Sequence, residues 1–143
     1  MVQNFDIGPN DGEIFNKKIK EFPSAFIRIH MPGCGHCVMM ELEWNKLLNT
    51  LSKNYIGNVG VFNINSGALS NINNVHVNSV SGFPTLLALL PNNKAIKYED
   101  ERMSDNMLNF IKTNFDISKK IYGGKLKRSK SLRRSKGLRR SKG

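Results

Sequence analysis

The sequence predicts an α/β domain in which helices cover both faces of a mixed central sheet, followed by a basic segment with no fold of its own. Three observations carry this. Helix-period and strand-period segments alternate along the first 118 residues and end in a strand pair before the last helix. Thr85–Leu90 (TLLALL) is continuously apolar, as a central strand covered on both faces requires. Charge is segregated: residues 1–118 hold ten Lys or Arg against eleven Asp or Glu, while residues 119–143 hold twelve and none. The overall charge of +11 therefore belongs to the end of the chain, and the near-neutral body says nothing of anionic partners.

A first strand fits Val2–Ile7. Gly12–Glu21 reads as a short amphipathic helix with Ile14, Phe15 and Ile19 on one side. Ser24–Met31 reads as a strand, with Ile27, Ile29 and Met31 pointing one way and Phe26, Arg28 and His30 the other. Pro32-Gly33 ends it. A long helix is expected from near Gly35 to Ser52, burying Met39, Met40, Trp44, Leu47, Leu48 and Leu51. Asn58–Asn65 is a further strand, and Ser66–Ser79, rich in Asn, reads as one irregular helix between loops. Pro91-Asn92-Asn93-Lys94 turns the chain between Thr85–Leu90 and a strand at Ala95–Glu99. Ser104 is placed to cap a last helix that buries Met107, Leu108, Ile111 and Phe115.

The 143 residues suit one domain with a real core, drawn as residues 1–118, and a low-complexity tail, residues 119–143, read as disordered in isolation. After Gly123-Gly124 the tail repeats three hexads that begin at Leu126, Leu132 and Leu138. A step of six residues turns an α-helix by ~600°, so the leucines do not share a face. The first residues show no basic and apolar leader, and no window resembles a membrane span. These readings favour cytoplasm, nucleus or a viral particle. Abundant Asn, Ile and Lys point to an A/T-rich genome, such as that of a protist or a large DNA virus.

The chemistry centres on Cys34-Gly35-His36-Cys37, the only two cysteines of the chain. Two cysteines at this spacing, where a strand hands over to a helix, can close a disulfide without moving the backbone. Cys34 would lie at a helix N-terminus, where unpaired N–H groups favour the thiolate. His36 would add a positive or hydrogen-bonding influence, and Cys37, one turn on, would attack a mixed disulfide and release the substrate. A stabilised thiolate stabilises the dithiol and makes the disulfide more oxidising. No cofactor beyond that disulfide is required. Cys-x-x-Cys is also half of a zinc site, but His30, His36 and His76 lack the usual ligand spacing. A metal shared between two chains stays open. Haem attachment would need His at position 38, which is Val.

Taken with these features, the chain resembles the thioredoxin superfamily, most closely the catalytic domains of protein disulfide isomerases. Met31-Pro32-Gly33-Cys34-Gly35-His36-Cys37 is similar to the family's A-P-W-C-G-H-C. Ser81-Gly82-Phe83-Pro84-Thr85-Leu86 is similar to its R-G-Y-P-T-L, and Tyr98-Glu99-Asp100-Glu101-Arg102, with Asp105 and Phe110-Ile111, to its Y-x-G-x-R…D…F-I ending. The likeness spans roughly residues 12–115. It implies a thioredoxin fold and exchange with protein thiols and disulfides. It also implies a cis Pro84 that shapes a substrate groove, with the Phe83 backbone free to pair with an extended substrate. Arg102 would correspond to an arginine that approaches the second cysteine and lowers its pKa.

The departures are specific. Gly33 stands where the family has tryptophan, Leu42 where it has a helix-kinking proline, and Arg28 where it has a buried acid that takes a proton from the second cysteine. That acid's lysine partner is missing too. Arg28 either stabilises a Cys37 thiolate electrostatically or merely pairs with an acid such as Asp6 or Glu41.

Tail residues Lys127, Arg128, Arg133, Arg134, Arg139 and Arg140 suit phosphate backbones or anionic surfaces. The hexads hold no aromatic residue to stack on bases, so nucleic-acid contact would be non-specific. Two further functional readings remain beside the oxidoreductase: a non-catalytic thioredoxin-fold binding module, as on a virion or nucleic acid, and a metal-bridged dimer.

Overall fold

The computed structural model of the protein describes residues 2–121. In chain order it places β1 (Gln3–Ile7), α1 (Gly12–Lys18) with a 3-10 turn at Ile19–Glu21, β2 (Ser24–His30), α2 (Gly35–Met39), α3 (Glu41–Asn54), β3 (Tyr55–Ile56) and β4 (Val59–Asn65). A 3-10 segment (Ser66–Asn71), α4 (Val75–Asn78), β5 (Thr85–Leu90), β6 (Lys94–Lys97), α5 (Ser104–Asn114) and β7 (Ser118–Lys119) follow.

Five strands form one sheet in the order β1-β4-β2-β5-β6. β1 and β2 run parallel to β4. β5 runs antiparallel to β2, and β6 antiparallel to β5. This is the mixed sheet the alternation predicts, and the thioredoxin fold that the motifs imply. Asn92 and Asn93 turn the β5–β6 hairpin with φ of 67° and 59°, a region asparagine tolerates.

Each face of the sheet has its own core. On one, α3 and α5 bury Trp44, Leu47, Leu51, Met107 and Ile111 against Phe26, Val61 and Leu86. On the other, Phe15, Ala68, Ile72 and Val77 close over Ile27, Ile29, Phe62 and Ile64. β2 alternates between the two, so every residue from Ala25 to Ile29 is buried.

Several local expectations are corrected. The helix expected from Gly35 to Ser52 is two helices that meet at Met40. Met39, expected inside, is 77% exposed, because the break turns it outward. Met31 lies beyond the end of β2 and is exposed. The stretch 66–79 is a 3-10 segment and a separate short helix, not one helix. Ser104 does not cap α5 with its side chain; Met103 holds the cap position, and the Ser104 N–H donates to Glu43 Oε1 at 2.9 Å. A second ladder, β3 with β7, pairs Tyr55 with Lys119, and the Lys120 N–H reaches Asn54 O at 2.7 Å. The boundary drawn at 118/119 falls inside that ladder. Lys127, Arg128, Arg133, Arg134, Arg139 and Arg140 lie outside the described residues.

Candidate active site

The C-terminal end of β2 delivers the chain to Pro32-Gly33. Gly33 adopts φ 79°, a left-handed conformation that suits glycine and strains any larger residue. The departure from the family's tryptophan is thus matched by the backbone. Cys34 is then the N-cap of α2: it is extended (φ −79°, ψ 117°), and its Sγ accepts the Cys37 N–H at 3.1 Å. Across the site, Cys34 Sγ donates to Phe83 O at 3.5 Å. The Phe83–Pro84 bond is cis, as the resemblance implies.

The two thiols are unlike. Cys34 is half-buried and Cys37 is 3% exposed. A hydrogen bond from the Cys37 thiol is the largest effect holding the Cys34 thiol below its ordinary 9.0. The Cys37 and His36 backbones and the Arg102 charge act in the same direction, against desolvation. Burial pushes the Cys37 thiol up, and donation to Cys34 adds to it; the Met31 backbone and the Arg28 charge oppose. This asymmetry is what an attacking thiolate and a protected second thiol require. The His36 influence comes through its backbone, while its side chain is exposed.

Arg28, only 1% exposed, is the largest departure from expectation in its surroundings. Nη1 donates to Asn63 Oδ1 at 2.9 Å, and Asn63 Nδ2 donates on to Asp6 Oδ1 at 3.1 Å. Nη2 donates to Glu41 Oε1 at 2.9 Å and to the Cys37 carbonyl at 3.0 Å. The guanidinium carbon lies 5.5 Å from the Trp44 ring centroid. Register explains the row: Asp6 faces Asn63, and Asn63 faces Arg28, across three adjacent strands. Both acids named from sequence are therefore reached, Glu41 directly and Asp6 through Asn63. Sequence reasoning missed Asn63 and Trp44 as members of this network. A polar residue at a sheet position flanked by apolar ones was the available signal for Asn63.

Arg28 also accounts for the helix break. In a continuous helix the Cys37 carbonyl would accept the Glu41 N–H. Here it accepts from Arg28, and helical bonding resumes with the Trp44 N–H on Met40 O at 2.8 Å. A side chain inserted into the ladder bends a helix without proline.

Arg102 lies on the exposed loop before α5. Tyr98 anchors that loop: its OH donates to Glu101 O, and its ring packs edge-on against Phe110. Burial first, then Asp100 and Glu101, push the Tyr98 phenol up to about 12, so it stays a neutral donor. Two open grooves meet at Arg102. One, about 800 Å³, runs past Phe83, Pro84, Thr85 and His76. The other, about 410 Å³, lies between His36, Met39 and Met40 on one side and Asp100 and Met103 on the other. Sequence reasoning missed the second, because it assigned Met39 to the core. Arg102 acts on Cys34, whereas the guanidinium acting on Cys37 is that of Arg28.

Among the described residues, no group of three or more His, Cys, Asp or Glu side chains is placed to hold a metal ion. Among them, too, no helix is long and apolar enough to cross a membrane.

Comparison with known proteins agrees with this geometry. Bloodstream-specific protein 2 of Trypanosoma brucei brucei is 26% identical over 103 residues, 71% of this chain and 19% of its own length. The chain thus spans about a fifth of that relative. The first thioredoxin domain of mouse protein disulfide-isomerase A4 superposes with a TM-score of 0.58 at 25% identity, covering 73% of this chain and 71% of that one. The J-Trx1 fragment of ERdj5 gives 0.58 at 17% identity over 76% of this chain and 49% of its own. The thioredoxin family pattern matches residues 7–113. With its Cys-x-x-Cys at the head of α2 and a cis-proline opposite, this chain belongs to the thioredoxin family.

Proposed function

We propose that the protein is a thiol–disulfide oxidoreductase of the disulfide isomerase type, with Cys34 as nucleophile, Cys37 as resolving thiol and protein thiols and disulfides as substrates. The observation that carries this reading is the unequal pair. A half-buried Cys34 sulfur accepts a backbone N–H and faces the Phe83 carbonyl, while Cys37 waits buried behind it.

In the reducing direction, the Cys34 thiolate attacks one sulfur of a substrate disulfide. A mixed disulfide forms, and the first substrate sulfur leaves as thiolate and takes a proton from solvent. Cys37 then attacks Cys34 Sγ, the enzyme disulfide closes, and the second substrate thiolate departs. Two electrons pass from the enzyme dithiol to the substrate, and the reverse sequence oxidises a substrate dithiol. Phe83 and Pro84 would hold an extended substrate along the larger groove, and Arg102 would keep positive charge near the reacting sulfurs.

The test is equilibration of the Cys34–Cys37 couple against glutathione buffers, with free thiols counted. A potential near that of disulfide isomerases, roughly −180 mV, supports donation or shuffling of disulfides. A thioredoxin-like value near −270 mV would make the protein a reductase instead. Failure to form a disulfide at any poise, or full cellular function in Cys34→Ser, would replace the reading with a non-catalytic binding module.

A second element of the proposal is a polyanion tether. Twelve Lys or Arg in residues 119–143 support it. Affinity for heparin or DNA should fall steeply between low and physiological salt and vanish when those residues are deleted. Unchanged affinity in the truncated protein would sink the tether.

A further inference from the structure

Arginine cannot take the proton that a thiol gives up, because its own pKa lies above about 12. A guanidinium buried behind the second cysteine must therefore act on it by charge and geometry alone. We propose that Arg28 is the positioning residue of the resolving thiol: it draws the Cys37 carbonyl out of the helix and sets a fixed positive charge behind the sulfur that attacks the mixed disulfide. The inference rests on the dithiol reading above and adds to it how the second step is driven.

Stability is a poor explanation for this residue. Arg28 Nε and Trp44 Nε1 are buried donors without an acceptor among the described residues. Each orphaned donor costs stability, and a buried ion pair contributes little net stability against a well-packed apolar residue. The partner of Arg28 is also diluted, since the Glu41 side chain is 53% exposed and water competes for it. What the arrangement does supply is a cation that burial on every side cannot release, bonded to the backbone of the resolving cysteine.

The other charged groups around Cys37 leave this role to Arg28. Glu41, from α3, opposes it. Asp6, from β1, is reached only through Asn63. His30, at the end of β2, is held below its usual 6.5 by burial first and by Arg28 next, so it is neutral before Cys37 titrates. Arg102 acts on Cys34, and the Cys34 sulfur is itself uncharged in the mixed disulfide.

The step is balanced. The Cys37 thiol loses its proton to water, its thiolate attacks Cys34 Sγ, the Cys34–Cys37 bond forms and the bond to the substrate sulfur breaks. Cys37 is oxidised to the disulfide level, Cys34 stays at that level, and the substrate sulfur leaves reduced and takes up a proton. The rate follows the thiolate fraction multiplied by its nucleophilicity. If Cys37 becomes harder to ionise by one pKa unit, the thiolate fraction at neutral pH falls tenfold while intrinsic nucleophilicity rises about threefold. Release should then be about threefold slower at neutral pH and about threefold faster at high pH, so the two pH profiles cross. A purely structural lesion slows release at every pH.

The experiment uses the full chain carrying a Cys34–glutathione mixed disulfide, formed and held at acid pH. A jump to each pH between 6 and 11 starts release, and acid-quenched mass spectra count the glutathione set free. Arg28→Met should move the midpoint up and cross the natural profile. Arg28→Lys should return the midpoint towards it, and Glu41→Gln, which removes the opposing charge, should move it down. Glu41→Gln keeps Arg28 in place and so decides the matter even if Arg28→Met does not fold. An unmoved midpoint in Arg28→Met, or in Glu41→Gln where Arg28→Met does not fold, or uniform slowing without a crossing, would overturn the role of Arg28. No glutathione release from the natural chain at any pH would instead overturn the dithiol reading itself.

Discussion

The two faces of the central sheet do different work, and β2 displays the contrast within five residues. Ala25, Ile27 and Ile29 enter a core without charged side chains, with Phe15, Phe62, Ile64, Ile72 and Val77. Phe26 and Arg28 enter the other, where Trp44, Leu47 and Met107 are equally buried but a cation, an amide and a thiol share the space. The second holds two buried donors without an acceptor among the described residues, Arg28 Nε and Trp44 Nε1. The buried cation is thus confined to the face that carries α2 and α3, while the opposite core meets the cysteines only at its rim, through Phe83.

The sharpest test of that division removes one large side chain from the quiet face. Phe62 is fully buried; it stacks on Phe5 with ring centroids 4.9 Å apart and meets Phe15 edge-on at 5.0 Å. Phe62→Ala should cost about 3–5 kcal/mol of unfolding free energy and leave the thiol titration of Cys34 where it is. Arg28→Met should change stability by only on the order of 1 kcal/mol while shifting the titration of Cys37, which Phe62→Ala should also leave in place. Denaturant midpoints and pH-dependent alkylation of both variants would show it. A Phe62→Ala protein with an altered Cys34 titration would mean that the faces are coupled through the sheet.

What could be read without coordinates follows the same line. The five strands of the main sheet, α1, α5 and the redox motif were legible because period and spacing are local properties, whereas the short β3–β7 ladder was not. The cis-proline came through a resemblance and not through physics, since no local pattern distinguishes it. The break at Met40 was not legible, because its cause lies nine residues away from Cys37 in sequence, in an arginine on a neighbouring strand. Exposure of Met39 follows from that break, and with it the second groove. The start of α5 failed for the same reason: a serine at the right place suggested a local cap, while the carboxylate that does the work comes from α3.

That carboxylate gives the smallest expected effect and the finest test of the comparison. Glu43 joins α3 to α5 on the face that holds Arg28: Oε1 accepts the Ser104 N–H at 2.9 Å, and Oε2 pairs with Lys46 at 3.3 Å. The Ser104 backbone bond first, and Lys46 next, hold its carboxyl below the ordinary 4.5. A carboxyl lowered on folding stabilises the folded state fully above its unfolded value, and the contribution is lost as pH falls through the folded one. Glu43→Gln keeps an acceptor oxygen but removes the charge. Its urea midpoint should lie slightly below that of the natural chain at neutral pH, and the gap should close as pH falls beneath 4.5. A gap that stays constant across the whole range would assign the helix–helix tie to packing and hydrogen bonding alone. That face would then owe its charge sensitivity to Arg28 and the cysteines, without help from the α3–α5 contact.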